Sequence, residues 1–170
     1  LYGTTLLLEG CLSILLCLFI SLLFKTFWEC IVLFAIFIPI RAYGGGLHFN
    51  TYAACLFVTC ITVISVILLS VTFQFNSKML LLLIIVSIIT IGCLYPVEHP
   101  NRPINKDEKA VFKKKFIVIM CINICISIII YFCHALKWLT LFSFTYFVIA
   151  VSMALGKFYS KFQKNKHSGS

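Results

Sequence analysis

A polar, glycine-rich stretch divides an otherwise apolar chain: RAYGGGLHFNTYAAC, residues 41–55. It lies between two long apolar runs and carries an arginine, three consecutive glycines, a histidine and a cysteine. Non-helical backbone at membrane depth is tolerated only where it is buried in protein or lines a wet cavity. The stretch therefore predicts a pocket at the membrane edge, held in place by the helices on either side.

The composition places the chain in a membrane. Of its 170 residues, 62% are hydrophobic and 11% are charged, and the mean hydropathy is +1.08. Soluble domains are roughly half apolar and one-quarter charged. The apolar runs are too long and too numerous for a secretory signal, whose hydrophobic region spans only about 7 to 15 residues. We predict an all-α, polytopic membrane protein.

Six apolar runs are predicted membrane spans, and all but the second approach the length of about 20 helical residues that crosses the bilayer core. The second run is short and ends near Pro39 and Arg41, so the polar break separates the second span from the third. An interfacial helical turn is predicted over 105–115, and a single membrane domain over 1–157 is followed by a basic cytoplasmic tail at 158–170. The six predicted spans are 4–24, 27–40, 52–75, 79–97, 116–134 and 138–156.

The charge distribution predicts the orientation. The formal net charge is +9, but the basic residues lie in short connections between spans, so the charge indicates topology and anionic lipid rather than nucleic acid. Six Lys or Arg lie within 102–115 and four within 157–166, whereas the turns at Lys25, Lys78 and Lys137 carry one each. The positive-inside rule then places both termini, residues 41–55 and the start of the first span on the cytoplasmic side of the cell membrane.

Eight of the nine cysteines fall within apolar runs, where a thiol acts as a small hydrophobic group. Cys55 is the exception because its neighbours are polar. We expect it to lie in the early turns of the third helix, where the positive end of the helix dipole favours a thiolate. Gly44, Gly45 and Gly46 would each cost about 1 kcal/mol within a helix. They instead permit unusual backbone angles and leave amides available for an oxyanion.

His48 precedes Cys55 by seven residues, which is about 10.5 Å on a continuous helix and too far for proton transfer. A catalytic pair therefore requires His48 to lie in non-helical chain that folds back over Cys55. The alternatives are a headgroup-level histidine and another packed thiol. A metal site using His99 as well lacks a fourth ligand, and no serine occupies a nucleophile elbow. No metal or cofactor is predicted.

Two motifs together resemble a known family. The first is RAYGGGLH with Cys55 seven residues later, and the second is PVEHPNRP at 96–103, followed by an acidic and then lysine-rich run. Tyr2-Gly3 before the first span also fits. The whole chain resembles the accessory gene regulator protein B (AgrB) family of multi-pass bacterial membrane endopeptidases. Such proteins cut a peptide pheromone precursor and help to close it into a thiolactone or lactone ring.

The resemblance implies roles for individual residues. It makes Cys55 the nucleophile and His48 the general base and acid, with Arg41 and Gly46 as further motif positions. Arg41 would hold a carboxylate of the precursor or anchor a helix end among headgroups; both options stay open. The predicted topology, rather than the resemblance, places Glu98, Asn101 and Glu9 near the cytoplasmic face as candidates to orient His48. Glu9 has the alternative of reaching the headgroups or pairing with a neighbour.

The expected partners are the peptide precursor and the lipid bilayer, with a homodimer left open. The family's amphipathic N-terminal segment is not in this sequence, whose first residue is not Met, so we expect that a native segment precedes it. Two rival interpretations involve no catalysis. One is a small transporter or channel whose glycine break lines a pore, and the other is a scaffold for peptide export.

Overall fold

The computed structural model describes the backbone of residues 2–44, 52–72, 75–95 and 106–167, and the side chains of 11–44, 57–72, 75–95 and 110–159. These residues form six α-helices and no strand, which confirms the predicted all-α class. The helices are α1 (Tyr2–Leu23), α2 (Phe27–Gly44), α3 (Tyr52–Thr72), α4 (Ser77–Leu94), α5 (Lys106–Phe132) and α6 (Leu136–His167).

Among the residues whose side chains are described, four helical segments are long and apolar enough to cross a membrane: Phe27–Gly44, Ser77–Leu94, Ala110–Phe132 and Leu136–Tyr159. Two shorter apolar segments, Cys11–Leu23 and Phe57–Thr72, belong to α1 and α3. Large apolar side chains cover the outside of the bundle, as with Phe19, Leu82 and Ile129, each about 60% exposed or more. The fold is that of a polytopic membrane protein.

The helices α2 and α6 form the centre of the bundle, between two apolar cores. One core joins them to α4 and α5, and the other joins them to α1 and α3. The first includes Ile36, Ile40, Leu80, Ile91, Phe116, Leu139, Tyr146 and Met153. The second includes Cys17, Cys30, Leu33, Cys60, Val63, Ile67 and Leu141.

The chain runs up and down, so the connections collect at two opposite ends of the bundle. At one end, here called the turn end, lie residues 24–26 and 133–135 and the first turns of α2 and α6. At the other, the glycine end, the C-termini of α2 and α4 meet the region of α5 around Phe116 and that of α6 around Met153. The start of α3 also lies at the glycine end, because Val58 and Arg41 border one cavity.

The turn end is closed by tight local geometry. Lys25 and His134 have positive φ angles of 56° and 53°, in the left-handed region that reverses a chain just after a helix. Asn76 caps α4 by accepting a hydrogen bond from the Lys78 backbone N–H at 3.1 Å. The turns predicted near Lys25 and Lys137 are thus present, the latter at 133–135, whereas Ser77 and Lys78, predicted as part of a turn, are the first residues of α4.

The second helix extends further than predicted. It continues through Pro39 and Arg41 to Gly44, whereas the sequence indicated a stop near residue 40. A proline removes one backbone hydrogen bond and strains the preceding turn, but neighbouring helices support such sites within a membrane bundle. Here Ile36 before the proline and Ile40 and Gly44 after it are all buried, so packing on both sides of the proline holds the helix together.

The fifth helix also differs from the prediction. The charged segment predicted as a separate interfacial turn over 105–115 is the start of one continuous helix, Lys106–Phe132. Phe112 and Phe116 pack against other helices, which extends α5 into its charged segment. Similarly, α6 continues without a break from the membrane segment through residue 158 to His167.

Three cysteines pack within the second core, as their apolar surroundings predict. Cys17 of α1 and Cys60 of α3 are buried with their Sγ atoms 3.5 Å apart, and Cys30 of α2 is fully buried nearby. The other cysteines with described side chains lie on the exposed surface of the bundle: Cys11, Cys93, Cys121, Cys125 and Cys133.

Candidate active site at the glycine end

Residue 55 is the fourth residue of α3, which begins at Tyr52 as the sequence predicts. It therefore belongs to the first helical turn, where backbone N–H groups have no partner within the helix. The side chain of Cys55 lies outside the described residues, as does that of Glu9 in α1. The predicted site residues Gly45, Gly46, His48, Glu98 and Asn101 fall outside the described chain altogether.

Arg41 lies in the last turn of α2 and is half-buried. Its guanidinium carbon is 5.3 Å from the centroid of the Phe37 ring, one turn earlier on the same helix. A cation over an aromatic face is attracted by the ring quadrupole, so this contact favours a side chain lying along α2. Arg41 also borders a cavity that α3 and α6 complete.

Gly44 ends α2 at a point of close helix contact. A Cβ atom added there would lie 2.9 Å from Phe116 Cε2 and 3.5 Å from Met153 Cε. The Phe116 ring is buried and stacks on Tyr95, with centroids 4.3 Å apart, so it has little freedom to move away. Gly44 therefore has a packing role: it lets the end of α2 approach α5 and α6.

An aromatic layer holds the other helix ends together around Gly44. Tyr43 packs edge-to-face on Phe112 of α5 at 5.7 Å, and Lys115 Nζ lies 5.5 Å from the Tyr43 ring centroid. On α6, Lys157 Nζ donates a hydrogen bond to the Leu94 carbonyl at 3.4 Å, at the C-terminus of α4. These contacts fix the two helices, α2 and α4, from which the two sequence motifs emerge.

A cavity of about 50 Å³ lies between α2, α3 and α6, next to the start of α3. Its walls include Thr59 and Thr62 of α3, which follow residue 55 by four and seven positions. Residues at this spacing share one face of a helix. The cavity therefore continues the face of α3 on which residue 55 lies. Sequence reasoning overlooked both threonines, although their helical spacing from Cys55 was visible.

One ion pair was also missed from sequence, and it lies far from this site. Glu29 of α2 is buried and pairs with Lys137 of α6 at the turn end. The two residues are distant in sequence, and the residues around each of them do not predict the ion pair. Among the side chains that the structure describes, no three histidines, cysteines or acidic residues come together as metal ligands would.

Comparison with known proteins identifies the family. The model of the family described as accessory gene regulator B matches residues 1–158, nearly the whole chain. No curated protein and no solved structure gives a significant match. The family match agrees with the resemblance that the two sequence motifs carry. The chain therefore belongs to the accessory gene regulator B family of quorum-sensing membrane proteins.

Proposed function

We propose that the protein is a membrane-embedded cysteine endopeptidase that cleaves a quorum-sensing peptide precursor and promotes its cyclisation. The observation that carries the proposal is the position of residue 55: it lies in the first turn of α3, at the same end of the bundle as Arg41 and Gly44 of the family motif. Family membership across residues 1–158 supports the same assignment.

In the proposed reaction, the Cys55 thiolate attacks a backbone carbonyl carbon of the precursor and forms a carbon–sulfur bond. Amides of the glycine stretch stabilise the oxyanion. His48 then protonates the leaving amine as the carbon–nitrogen bond breaks. The product is an acyl thioester on Cys55 and a free C-terminal peptide.

Ring closure follows by exchange. A cysteine thiol or serine hydroxyl of the same precursor attacks the thioester carbonyl, and Cys55 leaves as its thiolate, so the acyl group passes from enzyme to ring without hydrolysis. Exchange of one thioester for another is nearly balanced in energy, and an intramolecular attack has a high effective concentration. His48 takes the proton from the attacking group and is ready for the next cycle.

Charge at the glycine end supports a cytoplasmic site facing the inner leaflet. Lys113, Lys114, Lys115 and Lys157 are exposed there, together with half-buried Arg41. Basic residues are favoured beside anionic lipids on the cytoplasmic side. An amphipathic precursor lying on that surface would be drawn to the same residues.

The polar side chains within the bundle do not favour the rival transporter. Buried hydroxyls such as those of Ser70, Thr140 and Thr145 donate hydrogen bonds to carbonyls of their own helices, at 2.6 to 2.8 Å. These hydroxyls, among the side chains that the structure describes, are satisfied within their own helices and are not available to line a path across the membrane. A transporter needs polar groups from several helices facing one passage.

The test is replacement of the nucleophile with a matched control. In membranes containing the co-expressed precursor, Cys55→Ala should lower cleavage at least about a thousandfold, as expected for loss of a nucleophile. Cys93→Ala makes the same chemical change at an exposed position of α4 and should leave cleavage unchanged. Mass spectrometry of the peptide products measures both. Full processing by a correctly inserted Cys55→Ala protein would contradict the proposal.

A further inference from the structure

The cavity between α2, α3 and α6 extends along α3, starting near residue 55. Thr59 lies one helical turn below that residue and Thr62 two turns below, about 10.5 Å along the axis. Helical side chains lean toward the N-terminus of their helix, so the face that Thr59 covers extends toward the turn containing residue 55. The cavity thus begins beside the first turn of α3 and leads into the bundle.

The walls of the cavity are mostly apolar. Phe37, Val63, Val66 and Val148 contribute hydrocarbon surface. The hydroxyl of Thr145 donates to the Leu141 carbonyl at 2.6 Å, so its hydrogen is not directed at the cavity. Arg41 borders the cavity as well, with its guanidinium over the Phe37 ring. The remaining surface is mostly hydrocarbon and favours an aliphatic group over a cation, whose charge would have to be desolvated beside the arginine.

The volume limits the size of the occupant. An engineered cavity of about 150 Å³ is large enough to bind benzene. The present cavity, at about 50 Å³, is roughly a third as large. It suits a branched aliphatic side chain of the size of Val or Leu better than an aromatic ring.

We propose that this cavity is the specificity subsite for the precursor residue whose carbonyl is attacked, and that it accepts an aliphatic side chain. This inference rests on the proposed function of Cys55. The residue on the acyl side stays attached to the enzyme as the thioester, while the leaving peptide departs. A cavity next to the nucleophile therefore holds the acyl group in place until the ring closes.

Synthetic acyl-amino-acid chloromethyl ketones test the subsite without knowledge of the precursor. These probes place one side chain on the acyl side and alkylate the catalytic thiol, releasing chloride. We would measure alkylation of Cys55 by mass spectrometry for probes carrying Ala, Leu or Phe. Alkylation of exposed Cys93 in the same sample corrects for partition of each probe into the membrane.

The wild-type protein should react with the Leu probe about tenfold faster than with either the Ala or the Phe probe, the scale expected for a hydrophobic pocket. Thr62→Leu fills the cavity and should abolish the preference for Leu over Ala. Val66→Ala enlarges the cavity and should raise the Phe rate about tenfold. The two variants thus alter specificity in different directions, which general damage to the fold would not do.

Thr72→Leu and Val71→Ala are the matched controls, because they make the same changes at exposed positions of α3. Both variants should keep the wild-type order of alkylation rates among the three probes. The subsite is disproved if Cys55 reacts readily but Thr62→Leu and Val66→Ala leave that order unchanged. If Cys55 reacts no faster than Cys93 with every probe, the proposed function fails, and the subsite with it.

Discussion

The two ends of the bundle are built in different ways. The turn end has connections of three residues at 24–26 and 133–135, and a buried carboxylate, that of Glu29, paired with Lys137. The glycine end has longer connections, at 45–51 and 96–105, and its helix ends are joined by aromatic packing around Gly44. The family motifs emerge from this second end. Short turns and an ion pair fix one end of the scaffold, and the other end presents the residues proposed for chemistry, as is usual for functional loops on rigid elements.

The largest effect on stability is expected at the turn end. Lys137→Gln leaves the carboxylate of Glu29, whose side chain is 8% exposed, without its cation. Removing one partner of a buried pair costs about 3 to 5 kcal/mol, and we expect about 3 kcal/mol because the lysine is half-exposed. The free energy of unfolding, measured by denaturant titration in mixed micelles, checks this value.

The control for that change is Lys78→Gln, at an exposed position in the first turn of α4 at the same end. It should alter the free energy of unfolding by less than about 0.5 kcal/mol, as surface changes usually do. Adding Glu29→Gln to Lys137→Gln should recover part of the loss, because the buried charge is then gone. Equal losses for Lys137→Gln and Lys78→Gln would show that the ion pair does not fix this end.

A smaller effect on stability is expected at the glycine end from Gly44→Ala. The new Cβ would overlap Phe116, and overpacking of this kind costs about 1 to 2 kcal/mol. Gly92→Ala is the matched control, since a Cβ there meets no atom within 4 Å. That change should be neutral or stabilising, because alanine is the better helix former.

Both glycine variants are compared by unfolding and by precursor cleavage. Adding Phe116→Leu should restore part of the stability of Gly44→Ala by making room for the methyl group. Cleavage should fall in Gly44→Ala and stay at the wild-type rate in Gly92→Ala, because only the former shifts the end of α2. Identical behaviour of the two would remove the packing role assigned to Gly44.

The smallest effect concerns the contact between α4 and α6 in the half of the bundle next to the turn end. Ser143 Oγ lies 3.2 Å from the Leu80 carbonyl across the two helices and 2.7 Å from the Leu139 carbonyl of its own helix. Ser143→Ala should cost about 0.6 kcal/mol, the average for hydrogen bonds between membrane helices. Ser70→Ala removes a bond within α3 alone and should cost less. The same unfolding titration compares the two variants. A larger loss in the free energy of unfolding for Ser70→Ala would contradict the contribution assigned to the hydrogen bond between Ser143 and Leu80.

Much of this architecture follows from patterns that are local in sequence. Six apolar runs predicted six helices, and the start of α3 at Tyr52 was placed correctly because a polar segment precedes a long apolar one. The end of α2 was predicted too early. Pro39 and the glycines indicate a stop near residue 40, but packing against Phe116 extends the helix to Gly44. Local propensity is a weak guide where tertiary contacts decide a helix end.

Features that depend on distant residues were beyond sequence reasoning. The pairing of Glu29 with Lys137 and the contact of Cys17 with Cys60 each need the relative placement of two helices. The cavity beside α3 depends on the relative placement of three helices, α2, α3 and α6. Helical spacing from Cys55 could have singled out Thr59 and Thr62, but only the positions of α2 and α6 turn that face into a cavity.

In the proposed reaction, Cys55 carries the acyl group of the precursor. The most direct measurement mixes the protein with its precursor, stops the reaction with acid, and analyses the fragment containing Cys55 by mass spectrometry. We expect an adduct of the N-terminal precursor fragment on Cys55 that neutral hydroxylamine removes, as it does a thioester. Complete processing of the precursor with no such adduct on Cys55, or with the adduct on another cysteine, would show that Cys55 is not the nucleophile.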